Sequence, residues 1–292
     1  MHRRRMPEEG EKNGVVPVLF RSVRKVTAEV FRPLGRRLNA YPFEVERFEV
    51  EVPGLPPAFG GYKIVQVSDI HYGQWISTGR LRQAIYLVNQ QKPDLVAITG
   101  DFVSYPPVEN VDDVVPPLRE IRARDGTVAV LGNHDHWVSA KKVRSLLNQS
   151  GIRELNNDVC TVLRNGRALH IAGVDCITVE KNCLSAVLQK LPKEGPAVLL
   201  AHEPDFADTS AGTERFCLQL SGHSHGGQIV LPKIGVLVRA PDAKRYPLGK
   251  YQVGEMIQYT NRGIGTNLFW MRINCPPEIT VITLQPKKTA PS

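Results

Sequence analysis

The chain has 292 residues, 42% of them hydrophobic and 23% charged, so it can bury a full globular core and wholesale disorder is excluded. Five cysteines without a C-x-x-C pair exclude a disulfide framework or a cysteine zinc finger and favour a reducing compartment. Residues 1–40 hold ten Lys/Arg and four Glu, a net of +6 out of +8, so the body has no basic stripe and specific nucleic-acid binding is not expected.

The first unit is that basic arm, residues 1–40. Its longest apolar run, Gly14 to Phe20, is short, holds Pro17 and lacks a small-residue cleavage site. Neither a signal peptide nor a transmembrane segment is therefore expected, and the protein reads as cytoplasmic. Within residues 18–38, Leu19, Phe20, Val23, Val26, Val30, Phe31 and Leu34 recur at three- and four-residue steps, with Arg21, Arg24, Lys25 and Arg32 between them. Such a helix either lies peripherally on the inner face of a membrane or packs on its own domain.

Residues 41–292 form the second unit. Phe43 to Val52 alternates and predicts a half-buried, antiparallel strand. Buried strands are predicted at Lys63–Ser68, Leu95–Thr99, Val128–Leu131, Leu169–Ala172, Val198–Ala201 and Leu218–Ser221. Helices are predicted at Thr78–Gln91, at Val111–Arg124 with an interruption at Pro116-Pro117, and at Ser139–Gln149. This alternation implies a layered α/β domain, and the strand-like tail from Gln228 calls for a second sheet.

Chemistry gathers where the strands stop. The first buried strand leads into Asp69-Ile70-His71, the second into Gly100-Asp101, the third into Gly132-Asn133-His134-Asp135. The fifth leads into His202, the sixth into Gly222-His223-Ser224-His225. Five of the eight histidines stand at such ends. If these strands shared one sheet, their loops would converge on a crevice at its carboxyl edge. Imidazole suits Zn, Fe and Ni, and oxygen ligands also suit Mn. A two-metal site needs one bridging anion and separate ligands for each ion.

Gly222 to Gly226 also matches G-x-S-x-G, the serine nucleophile elbow. That elbow needs a following helix and a later histidine. After Ser224 the sequence reads as strand, and no histidine follows His225.

The ordered set Asp69-x-His71, Gly100-Asp101, Gly132-Asn133-His134-Asp135, His202 and Gly222-His223-x-His225 resembles the signature of the calcineurin-like metallophosphoesterases. GHSHGGQ, Asn261 to Gly265 and Cys275 to Ile279 resemble its YkuE/YaeI branch. The resemblance implies a four-layer α/β/β/α sandwich of two mixed sheets flanked by helices. It implies two divalent metal ions, manganese first, with zinc, iron or nickel as alternatives. One ion would take Asp69, His71 and His225, the other Asn133, His202 and His223, with Asp101 bridging. A metal-bridging hydroxide would attack phosphorus. His134 would contact the phosphoryl group or protonate the leaving oxygen, while Asp135 would orient His134 or cap the next helix. Asp205 is expected to start a helix.

The implied substrate is a phosphodiester or pyrophosphate. A lipid-linked nucleotide such as UDP-2,3-diacylglucosamine comes first, with nucleotides or cell-wall polymers as the alternative and a non-catalytic scaffold as a remote one. Substrate contacts are expected from His136, Arg262, Phe269 and Trp270. His136 could instead be a half-exposed loop imidazole, and the apolar Leu268–Met271 cluster could pack under the second sheet. Oligomeric state is not legible.

Overall fold

The computed structural model describes residues 41–287 apart from 74–75, 106, 108–109, 237–238 and 268–270. The basic arm, including residues 18–38, and the pair Phe269 and Trp270 lie outside the described residues. In chain order the first strands are β1 (Glu44–Val52), β2 (Tyr62–Val67), β3 (Leu95–Thr99), β4 (Thr127–Val130) and β5 (Arg153–Glu154). Then follow β6 (Asp158–Arg164), β7 (Arg167–Gly173), β8 (Ala197–Leu200) and β9 (Leu218–Ser221). The last are β10 (Val230–Leu231), β11 (Gly235–Val236), β12 (Gly249–Val253), β13 (Met256–Thr260) and β14 (Glu278–Pro286). The helices are α1 (Thr78–Gln90), α2 (Val115–Leu118), α3 (Asn133–Gln149), α4 (Leu184–Lys190) and α5 (Ala207–Ala211).

Two six-stranded mixed sheets result, ordered β1-β14-β2-β3-β4-β5 and β12-β13-β9-β8-β7-β6. Side chains alternate across each strand, and that alternation makes three cores. On one face of the first sheet, Val65, Val67, Val96 and Ile98 meet Leu81, Ile85 and Val88 of α1 and Leu146 and Leu147 of α3. On its other face, Ile64, Leu95 and Val128 meet Leu169, Val198 and Leu218 of the second sheet. The far face of the second sheet presents Ala172 and Leu199 to Val187 of α4 and Ala207 of α5. The order is thus α/β/β/α. Cutting any of these buried leucines to alanine costs ~2–5 kcal/mol.

The helices follow local rules. Ser77 caps α1 by accepting from Arg80 N at 3.3 Å. Helix α3 starts at Asn133 rather than Ser139, because Asp135 returns to the Gly132 N–H at 3.0 Å; Ser139 is instead a kink with φ 175° and ψ 107°. The expected helix at 111–124 shrinks to a 3₁₀ turn, Val111–Val114, and the four residues of α2. Pro116 and Pro117 have no N–H for a longer ladder.

Three other expectations need correction. β1 pairs with β14 in parallel, not antiparallel, and alternates because it is an edge strand with one exposed face. The strands carrying the motifs do not share a sheet: β2, β3 and β4 belong to the first, β8 and β9 to the second. Asp205 lies inside a 3₁₀ turn, and its carboxylate accepts from Lys244 N, Arg245 N and Tyr246 N at 2.8–3.2 Å, so it clasps a loop. All five cysteines are free thiols. Among the described residues no helix is long and apolar enough to cross a membrane.

Candidate metal centre

The carboxyl ends of β2, β3 and β4 meet those of β8 and β9 where the two sheets face each other. Gln66 Nε2 on β2 donates to Ser221 O on β9 at 2.9 Å, and His202 Nδ1 donates to Thr99 O on β3 at 2.6 Å. These bonds sew the sheets together at the site. Asp69, His71, Asp101, Asn133, His202, His223 and His225 are each at most 8% exposed.

Bringing these side chains together requires unusual backbone. Asp69, His71, Asp101, His223 and His225 all have φ between 45° and 66°, the left-handed region that non-glycine residues seldom enter. Such strain persists only where the surroundings over-determine it, and it clusters at functional sites. Glycine makes the close approaches possible at two points. A Cβ on Gly132 would stand 2.7 Å from His202 Nε2 and collide with Asp101, and one on Gly222 would collide with Ser68 and Asp69.

Asp101 lies between two groups. Its Oδ2 is 3.4 Å from His71 Nε2 and 3.4 Å from His202 Nε2, and its Oδ1 accepts from His134 N at 2.9 Å. On one side, His71 Nε2 faces His225 Nε2 at 3.1 Å, with Asp69 Oδ1 3.4 Å from His225 Nε2. On the other, His223 Nδ1 faces His202 Nε2 at 3.3 Å. Asp69–His71–His225, His71–Asp101–His134 and Asp69–Asp101–His202 are each close enough to share one ion.

The donor set fits cations. His223 Nε2 donates to Pro241 O at 2.8 Å, and His202 Nδ1 to Thr99 O, so the two nitrogens that face each other carry lone pairs in the neutral rings. Nitrogens each ~2.0–2.1 Å from a common ion stand about 3.0–3.4 Å apart at ordinary ligand angles. Asn133 Oδ1 is buried with no hydrogen-bond partner, an acceptor left for a cation.

The charges agree. Burial opposes ionisation of Asp101, but the imidazoles of His202, His134 and His71 hold its carboxyl well below the usual range. Burial also opposes a charge on His202, but Asp101 keeps the imidazole well above its ordinary value. Burial, with Asp101 adding to it, pushes Asp69 up to about 6. Burial and the neighbouring His71 and Arg272 hold His225 well below its usual value, in the neutral form a ligand needs.

The other residues expected at the site divide. Tyr105 N donates to His134 Nδ1 at 3.1 Å, which puts the neutral ring's proton on Nε2, and the ring stacks edge-on against His71 at 4.6 Å between centroids. Asp135 takes the capping alternative: Oδ1 accepts from Phe102 N and Val103 N at 2.9 and 3.2 Å, Oδ2 from Gly132 N. These bonds tie the residues after Asp101 to the start of α3. His136, on α3, pairs through Nε2 with Asp175 Oδ1 at 2.7 Å. The Arg262 guanidinium is engaged by Glu278 at 2.5 Å and by Glu44 and Glu46 at 3.1 Å each. Ser224 Oγ accepts from Gly226 N at 3.0 Å, and a three-residue turn, not a long helix, follows it.

Sequence reasoning missed two buried supports. Glu203, fully buried beside His202, accepts from Thr178 N at 2.8 Å and Cys176 Sγ at 2.9 Å. Arg272 is fully buried among main-chain carbonyls. A lone acid or arginine outside any motif gives no sequence signal of this kind.

Known proteins share this chain's pattern. The profile described as Calcineurin-like phosphoesterase matches residues 62–227. The chain is 35% identical over 254 residues to the uncharacterized metallophosphoesterase YkuE of Bacillus subtilis (strain 168), covering 86% of this chain and 88% of that protein. It is 33% identical over 230 residues to the phosphodiesterase YaeI of Escherichia coli (strain K12), covering 76% and 82%. A transmembrane protein with metallophosphoesterase domain from Danio rerio is 30% identical over 84% of this chain and 58% of its own length. The chain belongs to the calcineurin-like phosphoesterase family and is a metal-dependent phosphoester hydrolase.

Proposed function

We propose that this protein cleaves a phosphodiester or pyrophosphate bond at a centre for two divalent cations, with a lipid-linked nucleotide such as UDP-2,3-diacylglucosamine as substrate. The observation that carries the two-cation reading is Asp101 Oδ2, equally distant from the imidazoles of two separate groups. Asp69, His71 and His225 would hold one cation and Asn133, His202 and His223 the other, with Asp101 as the carboxylate between the two groups. The mixed nitrogen and oxygen donors support manganese, with zinc, iron or nickel as substitutes. When bound, such a pair supplies Lewis-acid polarisation of a phosphoryl oxygen and a low-pKa water as nucleophile.

The chain's own residues supply the rest. Asp101 and His134 are locked together by the His134 N–H bond, so the ring rides on the same loop contact as the bridge. With Nδ1 accepting from Tyr105, His134 offers an Nε2–H to a phosphoryl or leaving oxygen. Burial of the ligands keeps bulk water from screening these charges.

Three features support a lipid-linked substrate over a free nucleotide or a cell-wall polymer. Ile234, 71% exposed, tips the β10–β11 hairpin that follows the His225 turn. Phe269 and Trp270 stand in an apolar run of the tail, where we place an acyl contact. The basic arm suits a peripheral position on an anionic membrane. The name of the E. coli relative, a phosphodiesterase, supports the broader alternative equally well.

Product analysis decides between them. UDP-2,3-diacylglucosamine and UDP-N-acetylglucosamine are each incubated with the manganese-loaded protein and UMP is measured. UMP from the acylated substrate alone is the expected result. Turnover of bis-p-nitrophenyl phosphate without UMP from either would leave the general phosphodiesterase. No turnover with Mn, Zn, Ni or Fe would leave a non-catalytic scaffold.

A further inference from the structure

Arg272 is the largest of the fully buried side chains among the described residues. Its Nε donates to Gly265 O at 3.0 Å, and Nη2 to Arg262 O, Gly263 O and Gly265 O at 2.7, 3.0 and 2.5 Å. Nη1 reaches Cys275 O at 3.2 Å and His225 O at 3.5 Å. These acceptors are all main-chain carbonyls, and the Cys275 Sγ lies 3.8 Å from Nη1 beside them. A buried guanidinium pays a desolvation cost that a neutral side chain avoids, so what distinguishes it here is a planar fork of five donors.

The carbonyls it gathers belong to the segments that hold one half of the centre. Ile264 N donates to Ser68 O at 3.0 Å and Gly265 N to Asp69 O at 2.8 Å. A Cβ on Gly263 would stand 2.7 Å from Asp69 Cβ, so the loop presses directly on that aspartate. The same fork touches the backbone of His225. Asp69, His71 and His225 have φ of 50°, 45° and 52°, strained backbone that needs outside support. The opposite half has other supports, Thr99 O on His202 and Pro241 O on His223.

We infer that Arg272 is the positioning residue for the Asp69–His71–His225 cation position, tying the His225 backbone to the loop that clamps Asp69. The role rests on the two-cation reading above. Lysine keeps the charge but cannot span these carbonyls, because its three donors radiate from one point.

The test is stepwise manganese binding to the full chain, by calorimetry and by the Mn²⁺ paramagnetic resonance signal, well below each variant's melting temperature. Wild type, Arg272→Lys, Arg272→Met and Leu191→Ala are compared, the last a core change between α4 and β8 that lowers stability without touching the centre. The expected result is one binding step at wild-type strength and the other weakened about 10–100-fold in both Arg272 variants, the range seen for groups that orient ligands. Leu191→Ala keeps both steps. If Arg272→Met does not fold, Arg272→Lys alone decides. Two wild-type steps in Arg272→Lys, or a loss spread equally over both steps, would overturn the inference. A wild type that takes up no manganese would instead bring down the two-cation reading, and this role with it.

Discussion

His223 Nδ1 faces His202 Nε2 at 3.3 Å while each ring's other nitrogen donates to a backbone carbonyl. Two lone pairs in that position repel unless a cation or an extra proton lies between them. With Asp69 and Asp101 also buried, the centre favours the loaded state over the empty one.

Chelation is therefore expected to destabilise the fold. Manganese at 100-fold over its dissociation constant adds ~2.7 kcal/mol. For a domain of this size that is a rise in Tm of roughly 5–10 °C. Calorimetric scans in EDTA and after reloading check this, and superimposed scans would count against it.

Replacement of His134 by alanine is expected to lower kcat about 10²–10⁴-fold while leaving manganese content unchanged, the range for loss of a general acid. The loss shrinks with a p-nitrophenolate leaving group, which needs no proton. Equal losses on good and poor leaving groups would assign His134 to metal or phosphoryl binding instead.

Asp135→Asn separates capping from chemistry. The amide turns a donor toward one of the N–H groups that Asp135 now satisfies. An unsatisfied buried group costs ~1–3 kcal/mol, so Tm is expected to fall by several degrees along with activity. Lost activity at an unchanged Tm would restore a chemical role for Asp135.

Gly132→Ala places a methyl against His202 and Asp101. Backbone strain is not the issue, since Gly132 is extended at φ −106°. Metal affinity is expected to drop about 10–100-fold with the fold retained. Gly126→Ala is the contrast: φ is 90° with open space around it, so stability falls by about 1 kcal/mol or more and metal binding does not change.

The strand ends were legible because buried parallel strands are apolar runs, and each stops at the residue that leaves the sheet. That is why the expected and observed bounds of β3 and β9 agree to the residue. The alternation of β1 reported exposure but not the direction of a partner 234 positions away, Glu278 opposite Glu44. β6 gives no clear sequence pattern, being an edge strand with half-exposed residues that resembles a loop. The start of α3 was displaced because periodicity begins after the kink, whereas the cap is a single Asp135 contact. The convergence of Asp69, His71, Asp101, Asn133, His202, His223 and His225 follows from motifs that each end a buried strand. The contacts of Arg272 and Arg262 do not, because each depends on residues brought together only by the fold.

The most direct test of the centre is manganese stoichiometry, measured by elemental analysis after equilibrium dialysis of wild type and Asp101→Ala. Two ions per wild-type chain are expected, and no more than one tightly held in the variant, because the carboxylate between His71 and His202 is gone. Two ions retained by Asp101→Ala, or none bound by wild type, would contradict a shared two-cation centre.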